Sequence, residues 1–154
     1  MTKEQVLLKL TALCAKCEQC IFDVRKKMQR WQIDEETQNV VIEYLVNERY
    51  IDESRYAHAF INNKIKYNKW GKYKIEQALR LKQIPKELYS QYMPEADDNE
   101  YNEVLLSILK QKMKSVKADN DYEKKGKLIR FALQRGFTYD QVQDCIDNLM
   151  ERKR

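Results

Sequence analysis

The sequence predicts an all-α protein, and three observations carry that prediction. Only three glycines and two prolines occur in 154 residues, too few for the tight turns of a β-sandwich or barrel. Residues of good helix propensity fill the stretches between those breakers. Apolar residues recur at spacings of three and four along nearly the whole chain, as amphipathic helices require. A chain of this length fits one globular unit or a string of very small ones.

The elements follow in order. The first helix is expected to align Val6, Leu7, Leu10, Leu13, Cys14 and Cys17, with Thr2 and Gln5 at capping-box spacing before it. A second carries Ile21, Val24, Met28 and Trp31. A third, N-capped by Asp34, carries Val40, Val41, Tyr44 and Leu45. The run 39–46 could pass for a buried strand, but helical periodicity continues on both sides of it. Asp52 opens a fourth helix with Tyr56, Ala57, Phe60, Lys64 and Tyr67 along it, and Gly71 interrupts. Ile75, Ala78 and Leu79 mark a short helix, and Pro85 suits the first turn of the next. After Met93-Pro94 comes a helix with Val104, Leu105, Ile108 and Leu109. Residues 119–121 offer caps for a helix through Leu128, Ile129, Ala132 and Leu133, which Gly136 ends. Thr138 and Gln141 form a further capping box, opening a helix with Val142, Ile146 and Leu149.

These nine or so helices repeat. Val24, Met28 and Ile33 have the internal spacing of Ile75, Leu79 and Ile84, and of Leu128, Ala132 and Phe137. The offset of about 50 residues is the scale of helical repeat arrays. In the later copies the match extends from Tyr89 and Met93 to Val142 and Ile146; in the first, the third helix reads as displaced by one turn. We expect three tandem three-helix units, residues 1–51, 52–97 and 98–154, each too small to bury much core alone.

Net charge is +5, so a binding signal must lie in its distribution. Lys64, Lys66, Lys69, Lys72, Lys74, Arg80 and Lys82 cluster, opposed within that span only by Glu76. Arg152-Lys153-Arg154 is a second basic cluster, and Glu95, Asp97, Asp98 and Glu100 form an acidic stretch. The asymmetry suits a polyanionic partner or an acidic protein surface. Tyr56 and Phe60 belong to the core, while Trp70 and Tyr73 are candidates to stack bases or anchor a partner.

Catalysis finds no support. Phosphate-binding and dinucleotide-binding glycine loops and the H-E-x-x-H motif are missing from the sequence. His58 is the only histidine, with Ser54 four residues before it but no carboxylate to complete a triad. Cys14, Cys17 and Cys20 are evenly spaced, but a tetrahedral zinc site would need Cys145 or His58 from a different repeat. The cysteines are expected to be reduced and structural, with no metal and no cofactor. No window approaches the ~18 apolar residues of a membrane span, and the first residues lack the layout of a secretory signal. A cytoplasmic monomer is expected.

The stretch Ile51-Asp52-Glu53-Ser54-Arg55-Tyr56-Ala57-His58-Ala59-Phe60, followed by Lys69-Trp70-Gly71 and Lys74-Ile75 through Leu79 to Ile84, resembles the second repeat of the RecX family. Arg135-Gly136-Phe137-Thr138-Tyr139-Asp140 resembles its third-repeat element. The family-like structural positions are thus Asp52, Arg55, Tyr56, Ala57, Phe60, Gly71, Ile75, Leu79, Gly136 and Phe137. The first repeat departs most, with Cys20 where a serine is common and a longer linker to its third helix. The resemblance implies an elongated, curved array that binds in the groove of the RecA–DNA filament. There it would limit filament extension or promote disassembly, restraining recombinational repair and the SOS response. The basic residues from Lys64 to Lys82 would face acidic RecA residues, DNA phosphate, or both. Asp52 is expected to cap its helix and Arg55 to pair with an acid of an adjacent repeat. The rival readings are a helical module that binds single- or double-stranded DNA without RecA, and a structural adaptor whose lysines serve solubility.

Overall fold

The structure, a computed structural model, describes residues 1–152. Lys153 and Arg154, and with them most of the expected C-terminal basic cluster, lie outside the described residues. The chain forms α1 (Lys3–Lys16), α2 (Ile21–Arg30), α3 (Glu35–Asn47), α4 (Glu53–Lys66), α5 (Lys72–Leu81) and α6 (Lys86–Tyr89). A 3-10 turn (Ser90–Tyr92) follows, then α7 (Asn99–Ser115), α8 (Asp121–Gln134) and α9 (Tyr139–Arg152). The described residues contain no strand, so the all-α expectation holds.

Polar side chains start these helices where the spacing indicated. Thr2 and Gln5 make both bonds of a capping box, at 3.2 and 2.8 Å. Asp34 accepts from the Thr37 N–H, and Asn120 from that of Glu123. Asp52 accepts from the N–H groups of Ser54 and Arg55 at 2.9 and 3.1 Å. The Thr138–Gln141 box is only half made. Thr138 Oγ1 accepts from the Gln141 N–H, but its hydroxyl donates to Gln141 Oε1 and takes the place of the return bond. Pro85 is the N-cap of α6, one residue before the first turn.

The repeated spacing has a local cause at the ends of α2, α5 and α8. The N–H of Ile33 bonds the Met28 carbonyl, that of Ile84 the Leu79 carbonyl, and that of Phe137 the Ala132 carbonyl. The intervening Gln32, Gln83 and Gly136 have φ of 59°, 59° and 99° and donate to Gln29, Arg80 and Leu133. Each is a Schellman turn. Its left-handed residue is flanked by the apolar pair that the sequence shows repeating, and both members of each pair are buried except for half-buried Ile33.

This regularity corrects the reading of the first repeat. The linkers 31–34, 82–85 and 135–138 are equal in length, so the first copy has neither a longer linker nor a displaced third helix. Gln38 stands where Tyr89 and Val142 stand in the other copies. It is 5% exposed, donating to the Ile33 carbonyl and accepting from Arg25. A buried amide at an expected apolar position made the helix look shifted. α3 therefore turns Gln38, Val41, Ile42 and Leu45 inward, and Val40 and Tyr44 are exposed. Tyr67 and Leu133, also expected on apolar faces, are exposed. In the second copy the third helix shrinks to one turn of α6 plus the 3-10 turn.

The chain divides into two compact units. One comprises Met1–Phe60 and Leu79–Tyr92; the other comprises Ile61–Ala78 and the residues from Met93 on. In the first, Val6, Leu10, Val24, Met28, Val41, Ile42, Leu45 and Ile51 form one cluster. At about 25 cal/mol per Å² of apolar surface removed from water, such clusters drive folding. In the second, α7, α8 and α9 pack on one another and bury Leu105, Leu109, Leu128, Val142 and Ile146, while the Tyr101 and Phe137 rings meet at 5.2 Å.

Candidate functional site

The Tyr67–Tyr73 connection between α4 and α5 lies in the second unit, and its backbone geometry builds the site. Lys69 is left-handed, with φ of 57°, and turns the chain so that the Trp70 N–H reaches back to the Lys64 carbonyl. The half-buried Trp70 ring then has the Lys64 and Lys74 ammonium groups each 4.7 Å from its centroid. Cations over an indole face are attracted by its quadrupole, by ~0.5–1 kcal/mol each where solvent reaches them. The ring thus holds together two like charges that would otherwise spread apart. Lys66 lies 5.4 Å from the exposed Tyr67 ring.

The start of α5 is anchored from outside its own helix. Gly71, the residue before it, has no side chain to cap it; the Lys72 N–H donates to Tyr101 Oη at 2.9 Å and the Tyr73 N–H to the Gly136 carbonyl at 3.0 Å. Burial pushes the Tyr101 phenol up to about 12. Gly71 donates to the Arg135 carbonyl at 2.7 Å, and Arg135 Nη1 donates to the Asn68 carbonyl at 3.3 Å. Where the two turns cross, a Cβ on Gly71 would lie 2.2 Å from the carbonyl carbon of Gly136. This crossing explains why a glycine stands in both family-like motifs. Among the expected contact residues, Tyr73 projects with 63% of its surface exposed.

The structure therefore brings Lys64, Lys66, Lys69, Trp70, Lys72, Tyr73 and Lys74 together on one connection. Arg80 and Lys82 belong to the first unit. Lys82 is half-buried and pairs with Asp23 at 2.8 Å, beside the Tyr56 and Phe60 rings at 5.6 and 5.7 Å. Burial works against its charge, but hydrogen bonds to Asp23 and Tyr56 hold its pKa above the ordinary lysine value. Lys82 is thus a packing cation, and Tyr56 is buried as expected. Arg55 pairs with Glu18 at 3.0 Å and donates to the Arg49 carbonyl, which is the pairing with an earlier repeat that the sequence reading expected. The spacing of the lysines could not show that Arg135 closes the turn, because it lies 65 or so residues away in sequence; its place in the RGF element was the available signal.

Several other reactive side chains have packing partners or are buried. His58 stacks on Tyr92 at 4.4 Å, and the Ser54 hydroxyl meets Tyr92 Oη at 3.0 Å, so both engage the tyrosine. Cys20 is buried and its thiol is pushed up to about 11 by burial. Cys14 is half-buried, and Cys17, contrary to the expected apolar stripe, ends α1 exposed. No group of three or more potential metal ligands comes together among the described residues. None of the described helices is long and apolar enough to cross a membrane.

Two family models match this arrangement: RecX, second three-helix domain, over residues 52–93, and RecX, third three-helix domain, over residues 99–146. The chain belongs to the RecX family. A regulatory protein RecX of Clostridium botulinum (strain Eklund 17B / Type B) is 28% identical over 125 residues, covering 80% of this chain and 58% of the relative. One from Prosthecochloris aestuarii (strain DSM 271 / SK 413) is also 28% identical, covering 83% of this chain and 82% of the relative. The chain spans 58–60% of the length of the clostridial RecX proteins it matches first. A crystal structure of regulatory protein RecX superposes with a TM-score of 0.83 at 16% identity, over 94% of this chain and 73% of that one. RecX from Lactobacillus salivarius gives 0.79 at 18% identity, over 96% of each chain. At such identities these structures establish the shared RecX fold.

Proposed function

We propose that this RecX chain is a regulator of the RecA recombinase that acts by binding and not by catalysis. It binds in the groove of the RecA–DNA filament and mainly inhibits, limiting filament extension or promoting disassembly. The observation that carries the reading is the α4–α5 connection, where Lys64 and Lys74 converge on Trp70 beside Lys69, Lys72 and Tyr73. Lysine suits a phosphate track or an acidic protein face because its charge tolerates varied geometry. The repeats, taken as 1–51, 52–97 and 98–154, would let one molecule contact several protomers, and linked contacts multiply.

The test is RecA-dependent ATP hydrolysis on single-stranded DNA, with the chain titrated below the RecA concentration. Suppression at substoichiometric amounts is expected. Reversing charge at Lys69, Lys72 and Lys74 should weaken inhibition with helicity unchanged; full inhibition by that variant would defeat the assignment. The lysine-dominated character of the connection also favours a second reading, a DNA-binding module acting without RecA. That reading expects DNA binding that falls steeply with salt and no effect on RecA filaments.

A further inference from the structure

A second cationic cluster lies in the same unit at the end of α7 and along α8. Lys112, Lys117, Lys127, Arg130, Phe131 and Gln134 line an open pocket of about 370 Å³ whose lining has no acidic side chain. Lys112 Nζ lies 5.1 Å from the Phe131 centroid and Arg135 Cζ lies 5.2 Å from it. The aromatic ring with two cations at Trp70 thus has a counterpart at Phe131. Lys127 donates to the Lys117 carbonyl and pairs with Glu123 at 3.2 Å, which ties the loop after α7 to α8. That pair neutralises one cation, leaving Lys112, Lys117, Arg130 and Arg135 in excess.

Arg135 joins the two clusters. Its guanidinium lies beside Phe131 and donates to the Asn68 carbonyl, and its own carbonyl accepts from Gly71, next to Trp70. We propose that the pocket lined by Lys112, Lys117 and Arg130 binds the phosphate backbone of single-stranded DNA and continues, through Arg135 beside Phe131, the cationic connection at Trp70. Composition favours nucleic acid over an acidic protein. Lysine is depleted in protein interfaces, whereas cationic grooves interleaved with aromatic rings follow single strands. The proposal extends the DNA-contact part of the functional reading and does not require RecA.

The experiment is fluorescence anisotropy of a labelled oligo-dT strand with the full chain, across a series of salt concentrations. Lys117 and Arg130 are both exposed, so Lys117→Gln with Arg130→Gln should leave the thermal melt unchanged. Removing two phosphate contacts should make the slope of log affinity against log salt shallower by about 1.4, at ~0.7 per contact, with at least a ~10-fold loss at low salt. The charge-keeping pair Lys117→Arg with Arg130→Lys should bind as the parent does. Unchanged affinity and slope in the Gln pair would overturn the proposal, as would absence of binding by the parent chain. If Lys69→Gln, Lys72→Gln and Lys74→Gln together abolish binding while the Gln pair does not, only the first cluster touches DNA. If the parent chain inhibits RecA but binds no oligo-dT, this inference is overturned and the regulatory reading stands.

Discussion

At the scale of single residues, Glu53 shows how burial without full pairing makes a carboxylate costly. Its Oε2 is buried without a hydrogen-bond partner. Burial first, then the charge of Asp23, raises its pKa above the ordinary carboxylate value, against the pull of the Ile21 N–H. A raised folded pKa means that the folded state holds the proton more tightly than the unfolded one. The wild-type chain is therefore relieved at acid pH, and the relief is lost as pH rises through the raised value. Glu53→Gln should stabilise the protein at pH 7, by no more than about 1 kcal/mol because the side chain is partly solvated. The advantage should vanish below the ordinary glutamate range. Thermal melts of both proteins at the two pH values check this; an equal gain at both would show that charge is not the cause.

Between elements, the decisive contact is the backbone crossing that locks α5 against the end of α8. A methyl group on Gly71 meets main chain, which cannot rotate away, and one on Gly136 meets the Lys74 N and Cβ at 2.6 Å with φ at +99°. Gly71→Ala and Gly136→Ala should each cost at least about 3 kcal/mol in urea denaturation. Gln32 and Gln83 occupy the same turn position as Gly136, at φ of 59°. A left-handed L-residue costs ~1–2 kcal/mol, against ~0.5–1 for glycine's extra chain entropy. Gln32→Gly and Gln83→Gly should thus be neutral or stabilising by up to about 1 kcal/mol. Glycine is thus favoured at all three left-handed positions, and at Gly136 the main chain of Lys74 adds a steric cost to its replacement. Gly71→Ala within about 1 kcal/mol of the parent would show that the crossing is absent in solution.

For the whole molecule, the question is whether total charge or its placement governs binding. Three Lys→Glu reversals change net charge by −6, from +5 to −1. Lys69, Lys72 and Lys74 reversed together, and the exposed Lys3, Lys16 and Lys86 reversed together, therefore give proteins of equal net charge. The first set should lose RecA inhibition and most binding to single-stranded DNA; the second should keep at least half of each. Equal losses would mean that long-range attraction alone, screened over ~10 Å at 0.1 M salt, accounts for the activity. The contrast is sharpened by α3, whose outward face joins Val40 and Tyr44 to Glu36 and Glu43 and carries little positive charge.

The sequence by itself determined the all-helical class, the caps at Thr2, Asp34 and Asp52, and the threefold recurrence of an apolar pair about a helix end. These are local: a cap is made within three residues, and a Schellman turn within six. It also displayed Lys64 to Lys74, because those residues are close along the chain. Only the tertiary structure decided that Lys82 is taken up by Asp23, that Gln38 fills an apolar position, and that Gly71 is set against Gly136. It alone assembled Lys112, Lys117, Arg130 and Arg135 around Phe131. Those outcomes depend on which side chains meet across long sequence separations, and helical periodicity specifies the inward face of a helix without specifying what it will face.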